Sequence, residues 1–167
     1  MGFIDILKEL FANGAGIALL GGVLAAASGG WGSAVAVARV GKTSMGVLAE
    51  DPALYGKALI MQALPATQGI YGLLVWFMVM LQAGFLNNNY ADLSLYSGVL
   101  MFLGCLPSVI VLMPSSIQQA QVASAGVQLL LRRPEEQSKA LVMTAMVETY
   151  AILALLISFL AVNGLQI

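Results

Sequence analysis

From Leu10 to Ala38 the chain carries no charged residue, and the same holds from Ala58 to Ala91 and from Leu93 to Leu131. A fourth apolar segment, Ala140 to Ile167, is interrupted only by Glu148. Each run exceeds the roughly 20 residues that a helix needs to cross a bilayer, and none shows the alternation of an outer-membrane strand. The pattern predicts an all-α membrane protein with four transmembrane helices. Helices suit such runs because hydrocarbon offers no partner for backbone N–H and C=O groups, and a helix satisfies them internally. The opening stretch MGFIDILKELFANG has no basic region ahead of its apolar residues. It reads as a short interfacial segment leading into the first span and not as a removable signal peptide.

Displacing the sequence on itself by 82 residues aligns KALIMQALPATQGIYGLLVWFMV (Lys57 to Val79) with KALVMTAMVETYAILALLISFLA (Lys139 to Ala161) without a gap. Lys57/Lys139, Met61/Met143, Thr67/Thr149 and Phe77/Phe159 are identical pairs, as are Ser33/Ser115 and Pro52/Pro134 upstream. The four spans are therefore expected to form two tandemly duplicated hairpins, residues 1–82 and 83–167, within one membrane domain. A displacement of two helices keeps both copies in the same orientation, a parallel repeat. Ala66 stands opposite Glu148, so only the second hairpin carries a carboxylate.

Composition agrees with the pattern. The chain is 60% hydrophobic and 9% charged, with a mean hydropathy of +0.91, against roughly 25% charged residues in an ordinary soluble domain. A net charge of -1 without basic clusters gives no support to a nucleic-acid partner. Histidine is absent, which removes the commonest transition-metal ligand and the usual catalytic base. The single Cys105 lies in an apolar run and reads as a buried, inert thiol. Arg39, Lys42 and Lys57 surround the first connection, Arg132, Arg133 and Lys139 the last, and the middle one, NNNYAD, has no basic residue. The positive-inside rule then puts the first and third connections in the cytoplasm and both termini on the other side.

Glu148 is the feature that asks for a function. An ionised side chain at bilayer depth costs several kcal/mol, so such residues mark ion or proton pathways. It becomes tolerable if the carboxyl is protonated or if a cation balances it. Leu64, Thr67, Gln68 and Tyr71 stand at i, i+3, i+4 and i+7 of the second span, on one helix face. Pro65 lacks an N–H and loosens the local hydrogen-bond ladder, which makes backbone oxygen available beside them. Gln119 in the third span and Glu148 in the fourth both reach mid-membrane depth when counted from the basic connection. A hydroxyl, two amide oxygens, a backbone carbonyl and a carboxylate make a hard oxygen cage suited to a hard cation.

The first span is a packing element. Gly14, Ala18, Gly22, Ala26, Gly30, Ala34 and Ala38 recur every four residues, beside a second small stripe of Gly21, Ala25, Gly29 and Ser33. Such stripes let backbones approach closely, and here they are expected to pack between copies in an assembly.

The stretches LPATQGIYG, QVASAGVQLLLRRPE and MVETYAILALLISFL resemble the proteolipid, or K/c, subunit of rotary V-type ATPases, above all the sodium-translocating bacterial kind. The likeness covers nearly the whole chain as two hairpins. It implies a homo-oligomeric membrane ring turned by ATP hydrolysis in a separate soluble sector, this subunit being non-catalytic and without a nucleotide site. Carried onto matching positions, it implies Na+ ligands at the Leu64 backbone carbonyl, the Thr67 hydroxyl, the Gln68 and Gln119 side chains and the Glu148 carboxylate, with Tyr71 supporting the glutamate. Gln118 and Gln121 are local departures that could alter access or polarity around the cage. Implied partners are identical subunits, a stator membrane subunit with a basic residue, a central-stalk subunit and membrane lipid, in a bacterial cell membrane. One carboxylate per two hairpins means fewer ions per turn against a steeper gradient, which favours a pump over a synthase. The alternatives are the same ring translocating H+, a small cation-coupled secondary transporter, and a purely structural membrane oligomer.

Overall fold

The computed structural model describes residues 2–87, 89–90 and 93–164, with the side chains of 6–10 excluded. Part of the NNNYAD connection and the last three residues of the fourth apolar segment lie outside the described residues. The helices are α1 (Phe3–Ala12), α2 (Gly14–Glu50), α3 (Tyr55–Ala63), α4 (Thr67–Gln82), α5 (Leu95–Arg132) and α6 (Gln137–Asn163). Four helical stretches are long and apolar enough to cross a membrane: Gly14–Glu50, Pro52–Gln82, Leu95–Arg132 and Pro134–Asn163. The expected four-span, all-helical membrane architecture is the one observed.

The boundaries differ from the charge-free runs, for local reasons. α2 continues past Arg39 and Lys42 to Glu50. Charged residues do not stop a helix, and its 37 residues rise about 55 Å, well beyond the roughly 30 Å of hydrocarbon. Its last turns therefore project out of the membrane. Asn13 separates α1 from α2: its backbone is extended and its side chain accepts the Gly16 amide at 3.4 Å, satisfying one of the donors left free at a helix start. The second span ends at Gln82, well short of Ala91, because Gly84 takes φ +77 and turns the chain.

α2 and α5 share the most extensive interface, α4 lies on α2, and α6 lies on α5. The packing separates into two apolar clusters. One joins Ala36, Val40, Met61, Val127 and Leu130; the other joins Ala18, Val75, Met101, Cys105 and Val162, where the cysteine is buried as expected. Between them lies a polar layer in which Gln68, Gln119, Ser116 and Thr144 are fully buried. Apolar packing on either side keeps water from this layer and raises the worth of each hydrogen bond within it.

Two long-range contacts fix which connections share an end. Lys57 Nζ donates to the Pro134 carbonyl at 2.8 Å, tying the first connection to the third. Gly14 N–H donates to the Leu93 carbonyl at 3.1 Å, and Gln82 Nε2 to Asn163 Oδ1 at 2.6 Å, which gathers the start of α2, the middle connection and the end of α6 at the other end.

The two small-residue stripes have different fates. Gly21, Ala25, Gly29 and Ser33 are all buried against the chain's own helices. The four-residue stripe is buried at Gly14, Ala18 and Gly22 but exposed at Gly30, Ala34 and Ala38. Four residues turn a helix by about 400°, so such a stripe drifts about 40° per step and winds around to the outside. The expectation of packing between copies therefore applies only to its far half. Outside, Trp31, Ile110 and Leu160 are among many large apolar side chains left exposed, a lateral surface made for lipid or for further copies.

Candidate functional site

Pro65 determines the local backbone. Without an N–H it cannot bond the carbonyl four residues earlier, and the chain passes from α3 through a 3-10 turn, Leu64–Ala66, before α4 begins at Thr67. The loosening expected from sequence thus takes the form of a tight turn. The Leu64 carbonyl accepts the Thr67 amide and, at 3.0 Å, the Thr67 hydroxyl. Thr67 Oγ1 also lies 3.4 Å from Gln68 Oε1. Leu64, Thr67 and Gln68 therefore present three oxygens in one place.

Two inner-helix serines brace this break. Gly69 N–H donates to Ser33 Oγ on α2 at 2.8 Å, and the Pro65 carbonyl lies 3.5 Å from Ser116 Oγ on α5. Buried amides and carbonyls need such partners. The repeat partner of Ser33, Ser115, likewise bonds a backbone group of its own outer helix, the Val147 carbonyl, at 3.4 Å. Neither Ser33 nor Ser116 was legible as a site-shaping residue, although the Ser33/Ser115 identity in the repeat was a usable signal.

Gln68 is held from behind. Gly29 of α2 packs so closely that a Cβ there would run into the Gln68 carbonyl oxygen, with Gly72 Cα at 3.3 Å. From this support Gln68 Nε2 donates to Gln119 Oε1 at 2.7 Å. Gln119 Nε2 in turn reaches the Thr144 carbonyl at 3.3 Å and Glu148 Oε2 at 3.4 Å. The Thr144 carbonyl is a further group that sequence reading passed over. Tyr71 O–H donates to Glu148 Oε1 at 2.6 Å, a charge-assisted length.

All six residues singled out from sequence, Leu64, Thr67, Gln68, Tyr71, Gln119 and Glu148, meet in one hydrogen-bonded cluster between α4, α5 and α6. Gln118 and Gln121 do not join it; both point to the exposed surface of α5. Glu148 is half-buried, and among the described residues no basic side chain pairs with it, the one ion pair being Lys139 with Glu136 at the membrane end. No cluster of three carboxylate, cysteine or histidine residues occurs among the described residues. A single carboxylate surrounded by neutral oxygens carries one negative charge, which matches a monovalent cation or a proton better than a divalent metal.

Family comparison accounts for the duplication. The pattern of the ATP synthase C-subunit family matches the chain twice, over residues 14–79 and 102–161. The chain belongs to that family. The two matches end at Val79 and Ala161, one repeat length apart, so this member of the family is a duplicated hairpin protein, as the internal alignment predicted. It is 42% identical over 134 residues to the V-type sodium ATPase subunit K of Enterococcus hirae, covering 80% of this chain and 81% of that protein. It is 34% identical over 146 residues to the A-type ATP synthase subunit K of Methanocaldococcus jannaschii, covering 87% of this chain and 61% of that protein.

Proposed function

We propose that the chain is the rotor-ring subunit of a rotary V-type ATPase and that it carries Na+ across a bacterial cell membrane, with one ion for each copy. The observation that carries this reading is the Glu148 carboxylate held between the Tyr71 hydroxyl, at 2.6 Å, and the Gln119 amide, at 3.4 Å. Beside it stand the Gln68 side-chain oxygen Oε1, the Thr67 hydroxyl and the Leu64 backbone carbonyl. The similarity to a sodium ATPase subunit supports Na+ as the cargo. Copies arranged in a ring would use hairpins 1–82 and 83–167 alternately around the circle.

Mechanism follows from charge balance. With Na+ bound, the Glu148 site is neutral and passes through the lipid-facing part of the rotation at little cost. At a stator subunit, a basic side chain would compete for the carboxylate and release the ion into a water-filled path. Rotation, driven by ATP hydrolysis in a soluble sector, would then deliver the empty site for reloading. Arg132, Arg133 and Glu135, exposed at the third connection, offer a surface for a central-stalk subunit on the cytoplasmic side, with both termini opposite. One carboxylate for four spans favours pumping over synthesis, since fewer ions per turn work against a steeper gradient.

Carbodiimide modification tests the cargo. The reagent attacks protonated carboxyls, so Na+ but not K+ is expected to protect Glu148 in the purified ring, as read by peptide mapping across pH. Labelling indifferent to Na+ would favour the proton-carrying ring, and no labelling at any pH would remove Glu148 from the ion site. A second expectation concerns Tyr71→Phe, which deletes the donor to Glu148. A hydrogen bond to a charged group contributes about 1.5–3 kcal/mol when buried, and part exposure lowers that. The Na+ concentration giving half-protection is expected to rise about tenfold, corresponding to about 1.4 kcal/mol; an unchanged value would reduce Tyr71 to a packing residue.

A further inference from the structure

One face of the second span is buried: Met61, Pro65 and Gln68 meet Gly126, Ser116 and Gln119 of the second hairpin, and Val75 and Val79 continue the buried face. The repeat maps these residues onto Met143, Val147, Tyr150, Ile157 and Ala161 of α6. None of the five is buried, Met143 being 64% and Tyr150 67% exposed. A face used for packing in the first hairpin is bare in the second.

Met61 shows what that face does. It is 0% exposed, its methyl group fills the space beside Gly126, and it clusters with Ala123, Val127, Leu130 and Ala140. Moved back by one repeat, this socket becomes Gly41, Ser44, Met45, Leu48 and Ala58. Those five residues line a groove of about 170 Å³ between α2 and α3. An apolar cavity of about 150 Å³ accommodates a benzene ring, so the groove has room for a methionine side chain. The Ser44 hydroxyl in this groove is buried and has no hydrogen-bond partner among the described residues.

Taking the ring reading above as its basis, we propose that Met143 of one copy inserts into the Ser44 groove of the next, repeating between chains the Met61 contact within each chain. The unbranched, polarisable thioether adapts to an irregular socket, and its sulfur is a weak acceptor for the Ser44 hydroxyl. The rest of the face follows in register. Tyr150 takes the place of Gln68, and it meets Val37 and Ala66 of the neighbour where the site within the chain has Gln119 and Glu148. The seam between copies thus reproduces the packing without a second carboxylate, leaving one ion site per chain.

Thiol crosslinking of the assembled protein tests this, with Cys105→Ala removing the native thiol. The pair Met61→Cys and Gly126→Cys establishes that a short thiol-reactive linker spans such a contact, by joining the two hairpins within one chain without raising its mass. The pair Met143→Cys and Ser44→Cys is then expected to give a ladder of multimers on denaturing gels. A native-mass measurement on each preparation separates the outcomes. A ring that assembles, with the intrachain pair linked and the interchain pair not, would overturn the Met143 socket while leaving the ring reading intact. A chain that stays monomeric in every preparation would overturn both, and a ladder from the interchain pair that is lost when Ser44→Cys is omitted would establish the contact.

Discussion

Glu148→Gln is expected to lower ATP-driven Na+ uptake by about a thousandfold in proteoliposomes containing the complete ATPase, without dispersing the ring. Glutamine has nearly the same shape as glutamate, and its one carbonyl oxygen still accepts from Tyr71; its NH2 replaces the oxygen that faced Gln119, which gives up only the long 3.4 Å contact, so the local packing survives. What it lacks is charge. Two unit charges about 4 Å apart attract by about 4 kcal/mol at an effective dielectric constant of 20, and each 1.4 kcal/mol is a factor of ten in binding. The half-buried carboxylate has no basic partner among the described residues, so removing its charge leaves no built-in cation unpaired. Native mass spectrometry should give the same ring for both proteins, and tracer Na+ uptake should separate them. Full uptake by the glutamine variant would eliminate the ion-carrier reading in favour of a structural oligomer.

Gly29→Ala is expected to damage the same site from behind, without altering any side chain of the cluster. The added methyl meets the Gln68 carbonyl oxygen, so α4 must move away from α2 or the helix must bend. Overpacking of this kind costs about 1–3 kcal/mol, against a helix-propensity gain of up to about 1 kcal/mol from replacing glycine. The net effect is a loss, and it falls on the Gln68–Gln119 bond of 2.7 Å and the Ser33–Gly69 bond of 2.8 Å. At least a tenfold weakening of Na+ protection against carbodiimide is expected, with a lower unfolding temperature. Gly46→Ala, farther along α2 and outside the small-residue stripes, is the control, because no described residue lies within 4 Å of a Cβ at that position. There only the propensity gain applies, and both readings should stay close to those of the unaltered protein. Equal behaviour of the two variants would refute the idea that α2 positions Gln68.

These two substitutions mark the divide between what could be read along the chain and what could not. Glu148 was conspicuous because a charge in a long apolar run is costly wherever the helix ends up. Thr67, Gln68 and Tyr71 could be grouped because helical spacing fixes which residues share a face. The duplication, too, was written in the identities 82 residues apart, and it foretold both the hairpin architecture and the asymmetry of one carboxylate. Helix ends were less legible. α2 outran its charge-free run because solvated Arg39 and Lys42 are compatible with helix, while the second span stopped early at Gly84, whose left-handed conformation a hydropathy pattern does not register.

The roles of the small residues in α2 required the fold. Gly29 and Gly30 are the same residue type, adjacent in sequence, yet one abuts the Gln68 backbone and the other faces away from the described residues of its own chain. Ser33 belonged to a packing stripe along the chain and is a hydrogen-bond acceptor for the broken ladder at Gly69 in space.

The sequence by itself determined that four helices are long and apolar enough to cross a membrane, that they come as two hairpins, and that a single carboxylate with nearby oxygens is the candidate chemical centre. Those properties depend on composition and on periodicity along one helix. Only the tertiary structure decided how the centre is built: Gln68 bonded to Gln119, Gln119 to Thr144 and Glu148, Tyr71 to Glu148, and the Pro65 break braced by serines from two other helices. The reason is that a hydrogen bond between helices depends on rotation and depth to within about half an ångström, and those are set by side chains and glycines distributed over all four spans.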